Sequence, residues 1–144
     1  KIKDMMAPAR MRFGVGIGEM STHFEKHTSI GADGQPYWSA RQMLDALKAQ
    51  KGKNEYRSIL YRSGAPEDLL INALLACIET IQSGRTDKQA AAVSAMASCR
   101  LQETAARKLG INQSAVSQRL QSARYYEVAE AEKLLLQYLK DKNY

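Results

Sequence analysis

A chain of 144 residues, 44% of them hydrophobic, is long enough to bury one core or two very small ones, and too apolar to stay disordered. No apolar run approaches the roughly 18–20 residues that cross a bilayer, and the N-terminal stretch lacks the order of a signal peptide, so no membrane partner is expected and the reading is cytoplasmic. The net charge of +6 admits a polyanionic partner, and its distribution locates the excess. Lys plus Arg against Asp plus Glu stand at 11 to 6 over 1–62, 3 to 4 over 63–100 and 7 to 5 over 101–144.

The first element is "MRFGVGIGEMST" (11–22), where Phe13, Val15 and Ile17 alternate with Arg12, Gly14, Gly16 and Gly18; a period of two predicts a strand. A polar connection with Gly31, Asp33-Gly34 and Pro36 follows. Residues 37–52 predict a helix with Trp38, Met43, Leu44 and Leu47 on one side and Gly52 as its stop. "EYRSILYRS" (55–63) alternates again and predicts a second strand. Two strands cannot complete a sheet, so it is expected to look unfinished.

After "SGAP" everything reads as helix. Residues 66–83 have Pro in the first turn, early acids and a nearly all-round apolar body, which predicts a central buried helix. Residues 86–100 open with a capping box from Thr86 to Gln89. Cys77 and Cys99 lie in these Ala/Leu-rich patterns and are expected to be buried free thiols. Two short helices follow over 102–109 and 113–122. A C-terminal helix then carries Val128, Ala131, Leu135 and Leu139 at spacings of three and four, widened by Leu134 and Tyr138.

The stretch "QETAARKLGINQSAVSQRLQSA" (102–123) carries the functional signal. Gly110 ends the first short helix and Asn112 caps the second after a three-residue break, which is helix-turn-helix spacing. Ala106 provides the small residue where the helices cross, and Leu109, Ile111, Val116, Leu120 and Ala123 dock the pair. With Val116 inward, Ser114, Gln118 and Gln121 turn outward, with Tyr125 a further candidate and Gln113 and Ser117 alongside. Hydroxyls and amides both donate and accept, as the edge of a base in the major groove requires. Arg107, Lys108, Arg119 and Arg124 surround them against Glu103 alone, and suit phosphates. The bland alternative is a helical hairpin with a solvated polar face.

This stretch resembles the DNA-binding helices of sigma-factor region four, through its "ETA..LG..QSAVSQRL" pattern. That resemblance implies major-groove reading by the second helix, with Gln113, Ser114, Ser117 and Gln118 at base edges and Gln102 and Thr104 at the backbone. Toward the N-terminus, three glycines on one strand face leave room for a flat ligand or, more commonly, a closely packed helix. Glu19, Asp33, His23 and His27 lack ligand spacing, so no metal and no cofactor is expected.

"RFGVGIGE…IGADGQPYWSAR" followed by a helix-turn-helix resembles the C-terminal two-thirds of a SatD-family protein. This implies an α+β chain: a partial ferredoxin- or cyclase-like sheet with its helix over 1–62, as scaffold or as sensor of an unknown small ligand, then a helical DNA-binding domain over 63–144. The resemblance implies that the family's first part, with a Gly-Asp-Glu-Phe-like segment, would lie upstream of Lys1; cyclases also place an Asn four residues before the helix Arg, and counting back from Arg41 finds Tyr37 instead, so the expectation is that this chain carries no cyclase chemistry. The expectation is a non-enzymatic regulator that binds double-stranded DNA as a homodimer. The alternative is a nucleotide-binding or cyclase-like enzyme fragment with a structural helical tail.

Overall fold

A computed structural model describes residues 11–19, 34–50 and 57–142. In chain order the elements are β1 (Phe13–Gly16), α1 (Gln35–Ala49), β2 (Ile59–Arg62), α2 (Asp68–Ser83), α3 (Asp87–Cys99), α4 (Gln102–Leu109), α5 (Gln113–Ser122) and α6 (Tyr125–Asp141). The fold is α+β: a small sheet near the N-terminus, then helices. The chain divides into two compact units, Lys1–Glu79 and Thr80–Tyr144, the division falling in the last turn of α2. Among the described residues no helix is long and apolar enough to cross a membrane.

In the first unit β1 and β2 run parallel, with Phe13 opposite Ile59 and Gly16 opposite Arg62. They are the only strands among the described residues, in keeping with an unfinished sheet. The crossover helix α1 lies directly on the glycine face of β1. A Cβ at Gly14 would strike Ala40 O, and one at Gly16 would strike Pro36 O, both far inside the 3.0 Å that real Cβ atoms keep. The glycines therefore serve close helix packing, and the helix occupies the space a flat ligand would need. Leu47 is buried on this helix, whereas Trp38 is 58% exposed. The expectation that Trp38 shares the inward face is corrected: a ring that large does not fit where the helix touches strand backbone. Gly31, Asp33 and Gly52 lie outside the described residues.

The other edge of β2 is closed by side chains of α2. Tyr61 N donates to Asn72 Oδ1 at 2.9 Å while Asn72 Nδ2 donates to Tyr61 O at 2.7 Å, so one amide reproduces the donor and acceptor of a missing strand. Two turns on, the buried Glu79 carboxylate accepts from Ser58 N at 3.0 Å and from Ser58 Oγ. Asp68 accepts from Ser63 N and Gly64 N. These polar ties bury only a narrow strip of α2. Leu69 and Leu70 are 80% and 73% exposed, and Cys77 is exposed and free. The expected central buried helix and buried Cys77 are thus corrected, because an all-round apolar composition does not state how many neighbours a helix has.

The second unit closes on Ala92, Ala95, Ala105, Ala106, Val116 and Leu120, with Val93, Met96, Cys99, Leu109, Ile111 and Tyr125 packed around them. Small side chains let α3, α4 and α5 approach closely while Val116 and Leu120, both fully buried, fill the centre. α3 starts at the capping box read from the sequence: Gln89 N donates to Thr86 Oγ1, and Thr86 N donates to Gln89 Oε1. Its Cys99 is half-buried and free.

Candidate nucleic-acid interface

α4 ends at Gly110, whose φ of 64° and ψ of 32° are left-handed, and its N–H returns to Ala106 O and Arg107 O. Nothing lies within 4 Å of a Cβ placed there, so conformation alone makes glycine the suitable residue. Asn112 Oδ1 accepts from Ala115 N at 2.7 Å and starts α5. No strand interrupts 101–126. Ala106, Val116, Leu120 and Ala123 are buried and Leu109 and Ile111 half-buried, which is the docking set read from the motif. Ala105, fully buried, belongs to it too; next to Ala106 in sequence, it carried no periodic signal of its own.

With Val116 and Leu120 inward, the outer face of α5 presents Gln113, Ser114, Gln118 and Gln121, all exposed, with Ser117 half-buried on its flank. Ser122, also exposed, lies on the same face and was not picked out by the sequence. Tyr125 is corrected: it is half-buried and packs on the core, edge-on to Tyr126 with ring centroids 5.2 Å apart. The start of α6 redirects it, because Arg124 adopts a left-handed φ of 52° and breaks the α5 periodicity.

Four cations stand on the elements that carry or adjoin this uncharged face: Arg107 and Lys108 on α4, Arg119 on α5 and Arg124 between α5 and α6. Arg107 and Arg124 are exposed and pair loosely with Glu103 at 3.7 Å and Glu127 at 3.1 Å. Exposed pairs like these are weak and screened by salt, so the guanidinium groups can be drawn to other anions. Lys108 Nζ donates to Ser98 Oγ at 3.1 Å, and Arg119 is half-buried. Glu127 is held below the usual carboxyl range by the backbone N–H of its own residue and by Arg124. At the start of α4, Gln102 and Thr104 are both half-buried. Gln102 Nε2 donates to Tyr126 Oη at 2.8 Å.

Arg85 was missed by sequence reasoning. Its Nε donates at 3.0 Å to the carbonyl of Ala123, the C-terminal cap of α5, where a cation suits the helix dipole. Burial pulls its guanidinium below the usual value, opposed by Glu132. Its separation of 38 residues from Ala123 left no local signal. Of the weighed metal ligands, Glu19 is exposed, while His23, His27 and Asp33 lie outside the described residues.

The protein is an α+β chain whose second unit closes as a three-helix core around a helix-turn-helix. The SatD family model matches residues 1–131, and the chain belongs to the SatD family. That span is larger than the C-terminal two-thirds to which the motifs pointed, taking in the sheet, all of α1 to α5 and the start of α6. No curated protein and no solved structure matches the chain.

Proposed function

We propose that this protein binds double-stranded DNA sequence-specifically and acts as a transcriptional regulator, laying α5 in the major groove. One observation carries the reading: a helix pair packed on a buried core exposes a face of Gln113, Ser114, Gln118 and Gln121 that bears no charge, with Arg107, Lys108, Arg119 and Arg124 on the same helices and the turn after them. A helix face shaped only by water would carry Lys and Glu. Amides and hydroxyls match the donor and acceptor pattern of base edges, adenine above all for Gln, while these cations neutralise phosphates and fix register. The resemblance to sigma-factor region four agrees with these roles and adds Gln102, Thr104 and Ser117.

Two copies bind a palindromic site in this reading, since one such module offers few base contacts. Leu134 of α6 is 55% exposed and, one turn from the half-buried Tyr138, supplies apolar surface for pairing. The first unit acts as scaffold or sensor, a cytoplasmic regulator's input rather than an enzyme. The occupation of the glycine face by α1 weighs against the nucleotide-binding alternative.

The test is titration of labelled duplexes, selected from a random pool, at two salt concentrations. Each phosphate neutralised contributes about −0.9 to the slope of log affinity against log salt, so the four cations give roughly −3 to −4 per copy. A flat salt dependence, or a pool that yields no preferred sequence, overturns the proposal. Sedimentation of wild type and of Leu134→Glu tests pairing; a monomeric wild type that binds one half-site as tightly as a palindrome overturns the dimer.

A further inference from the structure

The side chain in the second unit that the reading above leaves unused is Tyr126. Its ring is braced edge-on by Tyr125, which packs on the core, yet the residue is 46% exposed. Its oxygen accepts a hydrogen bond from Gln102 Nε2 at 2.8 Å. A phenol has one proton to give, and with the Gln102 amide donating to the oxygen, that proton is directed elsewhere. Glu127, next to Tyr126 in sequence, and Glu103, next to Gln102, are each paired with an arginine, Arg124 and Arg107. Tyr126 thus bonds one of the proposed backbone-binding residues, Gln102, through its hydroxyl, and follows another, Arg124, by two residues.

We infer that the Tyr126 hydroxyl donates to a DNA phosphate oxygen, with Gln102 orienting it, so that the pair forms a neutral backbone clamp between the start of α4 and the start of α6. This rests on the DNA-binding reading and deepens it. The bond forms between a neutral donor and an anionic oxygen, a charge-assisted type stronger than a neutral pair. Carrying no charge, the phenol adds affinity without releasing a counterion beyond those the cations release. Addressing the backbone, it adds affinity without sequence preference.

The experiment compares full-length wild type, Tyr126→Phe, Gln102→Ala and the double variant, each against the selected duplex and a random duplex at two salt concentrations. Tyr126→Phe keeps the ring and its packing, so the thermal midpoint is expected to hold. Affinity for both duplexes is expected to fall by the same factor, about ten-fold per copy, with the salt slope and the selected sequence unchanged. Tyr126→Phe is also expected to lose affinity in the Gln102→Ala background. Binding equal to wild type overturns the clamp. A loss confined to the selected duplex makes Tyr126 a base contact and overturns the backbone assignment, and no further loss in the Gln102→Ala background reduces it to a support for Gln102. A wild type that binds no duplex at all defeats the DNA-binding reading itself, which is a distinct outcome.

Discussion

The two units use small residues for different ends. In the sheet unit Gly14 and Gly16 are there because the backbone of α1 lies where a Cβ would be. In the helical unit Gly110 faces open space, and only its φ of 64° calls for glycine. The same contrast runs through the rest of each unit. The sheet unit is joined by polar side chains standing in for backbone, Asn72 and Glu79 on β2, and leaves Leu69 and Leu70 in the open. The helical unit closes on its own apolar core of four alanines from α3 and α4 and two larger residues, Val116 and Leu120, from α5, and holds its polar groups outside. A surface that must present a fixed pattern to a partner needs the second kind of support, since rigidity of the helix pair is what keeps the outer face of α5 in register.

Each contrast can be broken separately. The largest effect is expected from Val116→Asp, which places an unpaired carboxylate where relative exposure is 0%; a cost above about 4 kcal/mol removes the α3–α5 core and, with it, duplex binding. Far-UV circular dichroism shows the loss of helix, and retention of a wild-type melting profile would contradict the packing described. Next is Gly16→Val, costing about 3 kcal/mol because the obstacle is helix backbone, not a side chain that can move. The only tryptophan, Trp38 on α1, reports on that unit by fluorescence. The Trp38 signal is expected to change while duplex binding persists, and loss of both together would contradict the division into units.

Gly110→Ala separates conformation from space. With no atom in the way, it is expected to cost only about 1 kcal/mol, lowering the thermal midpoint by a few degrees and leaving the fold intact. A loss as large as that of Gly16→Val would show that the turn is crowded after all. The smallest effect belongs to Glu127→Gln at the first turn of α6. The carboxyl is depressed below its ordinary value of 4.5, so its stabilising contribution is present above that value and fades as pH falls through the lower, folded one. Wild type and variant are therefore expected to differ slightly in thermal midpoint at pH 7 and to converge near the acid end of a titration; an equal gap at both ends contradicts the assignment.

The helix boundaries of the second unit were legible because their signals are local. The Thr86–Gln89 box, Gly110 and Asn112 act within three residues of themselves, and Val116, Leu120 and Ala123 repeat with the helix period. The outer face of α5 follows from the same period. Tyr125 escaped it, because the left-handed turn at Arg124, which no local signal marked, ends the α5 period one residue before it. Tyr126 escaped for a different reason: its partner Gln102 lies 24 residues away, and exposed tyrosines carry no mark of what they face.

By itself the sequence determined that this is an α+β chain, where α3, α4 and α5 begin and end, which residues dock the helix-turn-helix, and that the strand glycines suit close packing. Those properties depend on dihedral preference, capping and periodicity, which act along a few turns of chain. Only the tertiary structure decided that β1 and β2 pair in parallel, that Asn72 and Glu79 close the edge of β2, that Leu69, Leu70 and Cys77 stay exposed, and that Arg85 clamps the end of α5. Each of these depends on which surfaces meet across a long loop closure, and burial is set by that meeting: an apolar helix with one neighbour shows its remaining sides to water whatever its composition.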